Sequence, residues 1–160
     1  MSSVAASTIL SSSVTLTLAA SGRDAGSTLS EAMFTMPAGV FDPRWTQWRV
    51  SCDQVLLSPV DPGVQTALAF AIANPVSEAP TAMSAAGAII ASCAIANGGQ
   101  QYYVQTSQAT MPNMNGRQLR IRVIEPSDSA DPVNVAAFAA VNNPWTLRLS
   151  FAPIMHTTTY

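Results

Sequence analysis

The chain predicts an all-β sandwich of about eight antiparallel strands, on three observations. Short runs of alternating apolar and polar residues recur along it, as in Val14, Leu16 and Leu18 against Thr15 and Thr17, or Leu147, Leu149 and Phe151 against Thr146, Arg148 and Ser150. Clusters of Pro, Gly, Asn and Asp punctuate those runs at short intervals. No internal repeat and no heptad competes with the strand pattern, and the only low-complexity stretch is a Ser/Ala/Thr-rich arm over residues 1–13.

After that arm the expected domain runs over 14–160. The first strand closes at SGRDAG, where Gly22, Asp24 and Gly26 suit a turn, and a second is expected over 29–36. Pro37, Gly39 and Pro43 then break regular structure ahead of a central pair of strands. In the first of the pair, Trp48, Val50 and Cys52 alternate with Arg49, Ser51 and Asp53, and the apolar face resumes at Val55 and Leu57 with changed parity. That change predicts a bulge near Asp53 and Gln54. In the second, Thr66, Leu68, Phe70 and Ile72 alternate with Ala67, Ala69, Ala71 and Ala73. One face is bulky and fits a core. The other is nearly pure alanine, flat enough to lie against a second sheet or a neighbouring subunit, so Ala67, Ala69 and Ala71 are the candidate subunit interface.

The connection over 74–82 carries Pro75 and Pro80. The alanine-rich stretch beyond it reads equally as helix or buried strand, and the expectation is a short helix over 81–86 followed by a strand over 88–96. Asn97, Gly98 and Gly99 form a hairpin-type turn into the aromatic, β-branched run QQYYVQTSQ. A loop with Pro112, Asn113, Asn115 and Gly116 precedes RQLRIRVIE, ended by Pro126. Further strands are expected from Val133 and over Leu147 to Phe151. Strands in this number, with one helix between two middle strands, fit a single jelly roll.

At 160 residues the chain is long enough to bury a core without disulfides or metals. Its composition points to partners: 48% of residues are hydrophobic and only 10% charged, with all seven positive charges arginine, where an ordinary soluble domain has about 25% charged residues. No apolar run approaches the roughly 18 to 20 residues of a membrane span, so the surface is expected to be covered by other copies of the chain. The net charge of −2 gives no general attraction to polyanions, and the first twenty residues hold no Lys or Arg. Cys52 and Cys93, far apart and both in apolar runs, read as buried free thiols, with a disulfide as the other reading.

Catalytic motifs are missing. The single histidine, His156, lies among C-terminal threonines, and there is no G-x-S-x-G, phosphate-binding glycine loop or His pair at metal spacing. Neither an enzyme nor a cofactor or metal site is expected. A carboxylate pair such as Asp53 and Glu125 is the remaining hydrolase reading. Asp24, Asp42, Asp61, Asp128 and Asp131 fit turns, and calcium held between subunits by some of them is the second reading. Arg117, Arg120 and Arg122 form the one basic cluster. On a strand Arg120 and Arg122 share a face with Gln118, and so either meet phosphates as bidentate donors or act as exposed edge charges. Trp45, Trp48, Trp145, Tyr102 and Tyr103 fit packing better than stacking on bases or sugars.

Across nearly the whole chain, the order of SSSVTLTLAAS, the pair WTQWRVSCDQVLLSPV and VQTALAFAIANP, the link VSEAPTAM into AGAIIASCAIANGG, and the terminal WTLRLSFAPIMHTTTY resembles the coat proteins of small icosahedral RNA viruses with a single jelly roll, the tymovirus type above all. The resemblance implies a viral structural protein of the virion: a capsid subunit that self-assembles as a homo-oligomer into a closed shell. It implies weak genome contacts, assigned to Arg117, Arg120 and Arg122, and no membrane. This chain is shorter than the usual member, and like that type it has no long basic arm. The alternative is a jelly-roll carbohydrate- or receptor-binding module forming a small oligomer, with Trp45, Tyr102 or Tyr103 against the sugar.

Overall fold

The computed structural model describes residues 13–56, 67–73, 83–84, 87–95, 101–125, 128–132 and 145–155. Among these the chain is all-β. Its strands are β1 (Val14–Ala19), β2 (Glu31–Thr35), β3 (Gln47–Leu56), β4 (Ala67–Ile72), β5 (Met83–Ser84), β6 (Gly87–Ile95), β7 (Gln101–Thr106), β8 (Gln108–Pro112), β9 (Gln118–Glu125), β10 (Asp128–Pro132) and β11 (Thr146–Pro153). The only helical turn among the described residues is a 3-10 turn at Ala20–Gly22.

Two antiparallel sheets result. Sheet A has the order β1-β11-β3-β8. Sheet B has the order β10-β9-β4-β6-β5, with β2 also paired to β9 and β7 to β6. The long pairings are nested: β1 with β11, β2 with β9, β3 with β8 and β4 with β6. A single long antiparallel hairpin, folded over on itself, would make the same four pairs. The chain crosses between sheets at Ser107, which separates β7 from β8 and donates its backbone N–H to Ile90 O at 2.9 Å.

The inward residues of both sheets share one core, the arrangement of a β-sandwich. Trp48, Val50, Cys52 and Val55 of β3 and Leu147, Leu149 and Phe151 of β11 meet Leu68, Phe70 and Ile72 of β4 and Leu119, Ile121 and Val123 of β9. Two aromatic groups brace this core. Phe41 packs edge-on against Trp48 and Phe151, with ring centroids 5.2 and 5.1 Å apart. Trp145 does the same with Phe34 and Phe70 at 6.1 and 5.4 Å, and donates its indole N–H to Leu29 O at 2.9 Å.

The bulge expected near Asp53 is present. Arg148 pairs with Gln54 and Leu149 with Cys52, which leaves Asp53 as the extra residue and returns Val55 to the core. A second bulge lies in β6, where Phe70 pairs with Ala91 and Ala71 with Ile89, so the successive residues Ile90 and Ala91 both face inward. The two faces of β4 divide as the alternation predicts: Leu68, Phe70 and Ile72 enter the shared core, while Ala69 packs with Ile124 and Ile89 on the opposite side.

Two expectations are corrected. Met83–Ser84 is strand, paired with β6, where a helix over 81–86 was expected; alanine's helix propensity is a weak preference that sheet pairing overrides. Asp128 and Asp131, read as turn residues, lie on β10, whose pairing with β9 is short and irregular. At the start of β6, Gly87 lets the backbone pass close to β4: its φ is +133°, and a Cβ would sit 2.0 Å from Ile72 O. The arm over 1–12, the turns at Asp61 and Asn97 to Gly99, and the strand expected from Val133 lie outside the described residues.

Candidate nucleic-acid interface

The basic cluster named from the sequence lies on the outer face of sheet B, and its geometry is a compensated one. Register puts Glu31 of β2 opposite Arg122 and Met33 opposite Arg120. Both guanidinium groups reach the same carboxylate: Arg122 Nη2 lies 3.3 Å and Arg120 Nη1 3.5 Å from Glu31 Oε1. All three side chains are only about a third to two-fifths exposed, at 32%, 42% and 34% for Arg122, Arg120 and Glu31. Glu31 cancels half the charge a phosphate would meet. Arg117 stands apart from this triad at the entry to β9, exposed, with its backbone engaged by Met114 and Met36.

Next to the triad is a depression of about 180 Å³ lined by Gly26, Ser27, Thr28, Glu31, Met33 and Arg120. Asp24 closes the column at the far end of β2, accepting hydrogen bonds from Thr35 Oγ1 at 2.8 Å and Gln118 Nε2 at 3.0 Å. Those bonds, Gln118's first, hold its carboxyl below the usual range. Asp42 is held low likewise by the Arg44 guanidinium, 2.5 Å away at its nearest. Asp42 thus acts within its turn, accepting from Arg44 N, while the Asp24 carboxylate reaches out of its turn to β2 and to Gln118 of β9. Among the described residues no group of three or more His, Cys, Asp or Glu stands close enough to hold a metal ion.

The candidate subunit interface is not a bare surface. Ala69 and Ala71 are 1% and 0% exposed in the single chain, flanked in register by Ile124 and Arg122 of β9 and Ile89 of β6. A neighbour would reach this face only through what already covers it. Ala67 opens β4 opposite Ala94, and its side chain is outside the described residues.

Sheet A presents the opposite kind of outer surface. Thr15 and Thr17 of β1, Arg148 and Ala152 of β11, Arg49 and Asp53 of β3 and Gln108 of β8 are exposed, with Ser51, Ser150 and Thr110 partly so. Thr15, Ser150, Ser51 and Gln108 stand opposite one another across all four strands. Ser150 donates its hydroxyl to Asp53. Sequence pattern had not marked this face, because Arg49 and Arg148 are nearly a hundred residues apart and only the β3–β11 pairing unites them.

The remaining named residues resolve as packing or lie out of view. Trp48 and Trp145 are fully buried, and Trp45 is partly buried against the core. The loop holding Trp45 is clamped by two asparagines the sequence reading saw only as loop formers. Asn113 Nδ2 donates to Asp42 O and Trp45 O at 3.1 and 3.0 Å, and Asn115 both accepts from Phe41 N at 2.8 Å and donates to Phe41 O at 2.6 Å. Cys52 and Cys93 are free and buried, and burial pushes both thiols up to about 11. The Tyr102, Tyr103 and Glu125 side chains, and His156, are outside the described residues. No helix among the described residues is long and apolar enough to cross a membrane. Comparison with family models, curated proteins and solved structures gives no match for this chain.

Proposed function

We propose that the chain is the coat subunit of a small icosahedral virus, a single jelly roll that assembles with many copies of itself into a closed shell around a viral genome. The nested pairing of β1 with β11, β2 with β9, β3 with β8 and β4 with β6 carries this reading, since a rolled hairpin with first and last strands adjacent is the jelly-roll plan. The composition supports the shell. A chain with only 10% charged residues suits a subunit that buries much of its outside against neighbours, since its core already takes in both sheets.

The proposed mechanism is physical and has no chemical step. Apolar burial between copies drives closure, and a few arginines hold nucleic acid weakly. With seven arginines and a net charge of −2, each subunit releases few counterions, so shells are expected to close without a genome. Electron micrographs of the purified chain test the reading. Closed particles of uniform diameter, surviving nuclease treatment, are the expected result. A discrete trimer or monomer would replace it with the receptor- or sugar-binding module.

A further inference from the structure

Resting on that shell reading, we propose that the genome contact is made by the outer face of sheet A, through Arg49 and Arg148, and not by Arg120 and Arg122. The ligand is the phosphate backbone of single-stranded nucleic acid. Arg49 and Arg148 are exposed, and neither has a carboxylate within ion-pair distance among the described residues. Arg120 and Arg122, in contrast, both lean on Glu31.

The surroundings of the two arginines match a phosphate chain. Arg49 stands opposite Ala152, four positions along β11 from Arg148, which sets the backbones of the two arginines about 13 Å apart along the strand. Between them runs the row Thr15, Ser150, Ser51 and Gln108, whose hydroxyl and amide groups are the kinds of donor that position a sugar–phosphate backbone. The one acidic side chain on this face among the described residues, Asp53, sits at the bulge and takes the Ser150 hydroxyl. No aromatic ring is exposed among the described residues of the face, so base stacking is not part of the contact, and binding should be weak, salt-sensitive and indifferent to sequence.

Titration of the full chain, dissociated into subunits so that the face is reachable, with a fluorescein-labelled oligouridylate at several salt concentrations tests this. Each phosphate contact on a single strand contributes about 0.7 to the slope of log K against log salt. Arg49→Gln with Arg148→Gln should therefore lower the slope by about 1.4 and lower the 260/280 nm absorbance ratio of the particles, with particle mass of protein unchanged. Thr17→Arg, which adds a charge beside Arg148, should raise the slope by about 0.7. An unchanged slope in the first variant, or no oligouridylate binding by the unmodified chain at low salt, overturns the proposal. If no particle forms at all, the shell reading fails, and the slopes still judge the face by themselves.

Discussion

The outer faces of the two sheets are built from the same pleated backbone and come out opposite in character. On sheet A the outward residues are Thr15, Thr17, Arg49, Ser51, Arg148 and Ser150, polar and largely in solvent. On sheet B the outward residues of β4 and β9 include Ala69, Ala71 and Ile124, which are as buried as the core, with the charged side chains beside them drawn into the Glu31 triad. In an ordinary sandwich both outer faces meet water, and alternation along each strand is apolar-in, polar-out. Sheet A follows that rule. Sheet B breaks it along β4 and at Ile124, where the outward residues are already buried within the single chain.

Charge placed on each face should break the comparison if it is wrong. Ala69→Glu would bury a carboxylate without a partner and is expected to cost about 3–5 kcal/mol, whereas Ser51→Glu on sheet A should stay within about 0.5 kcal/mol. Urea denaturation of dissociated subunits measures both. Equal effects, or an unchanged urea midpoint for Ala69→Glu, would dissolve the contrast. Next in size is Gly87→Ala. Its Cβ would meet the Ile72 carbonyl at 2.0 Å from a backbone φ of +133°, so the strain of about 1–3 kcal/mol adds to displacement of β4 beneath the covered face.

Smaller effects sharpen the picture. Glu31→Gln leaves Arg120 and Arg122 without their carboxylate and should change stability by no more than about 1 kcal/mol, as exposed ion pairs do, while strengthening oligouridylate binding only if sheet B faces nucleic acid. The smallest is a pH effect. Asp24's carboxyl is held below its usual value in the folded chain, so its contribution is complete above the unfolded value near 4 and is lost as pH falls through the lower folded one. Stability of Asp24→Asn should accordingly fall less between about pH 4 and 2 than that of the unmodified chain, read from urea midpoints at each pH.

Much of sheet A was legible because its signals are local. The parity change after Cys52 marked the bulge to within a residue of Asp53, and the alternation of Leu147, Leu149 and Phe151 marked β11. What escaped depended on distant partners. The run QQYYVQTSQ reads as one strand with Pro112 in the loop after it, and only the separate demands of β6 and β3 end β7 at Thr106 and carry β8 from Gln108 to Pro112 in the other sheet. The Asn115–Phe41 clamp joins residues 74 positions apart, and Glu31 meets Arg122 across 91. The shared face of Arg120 and Arg122 was visible in their spacing, but the carboxylate that occupies them was not. β10 was hidden for a different reason: Asp-Ser-Ala-Asp-Pro is turn chemistry, and its pairing with β9 is irregular.

The account stands most directly on the mass of the purified chain in solution, measured by light scattering with absorbance at 260 and 280 nm on the same peak. A closed shell needs at least ~60 copies, so with a subunit of 16.7 kDa the predicted result is a particle of about a megadalton or more. A species that stays monomeric or trimeric across salt and pH would contradict it.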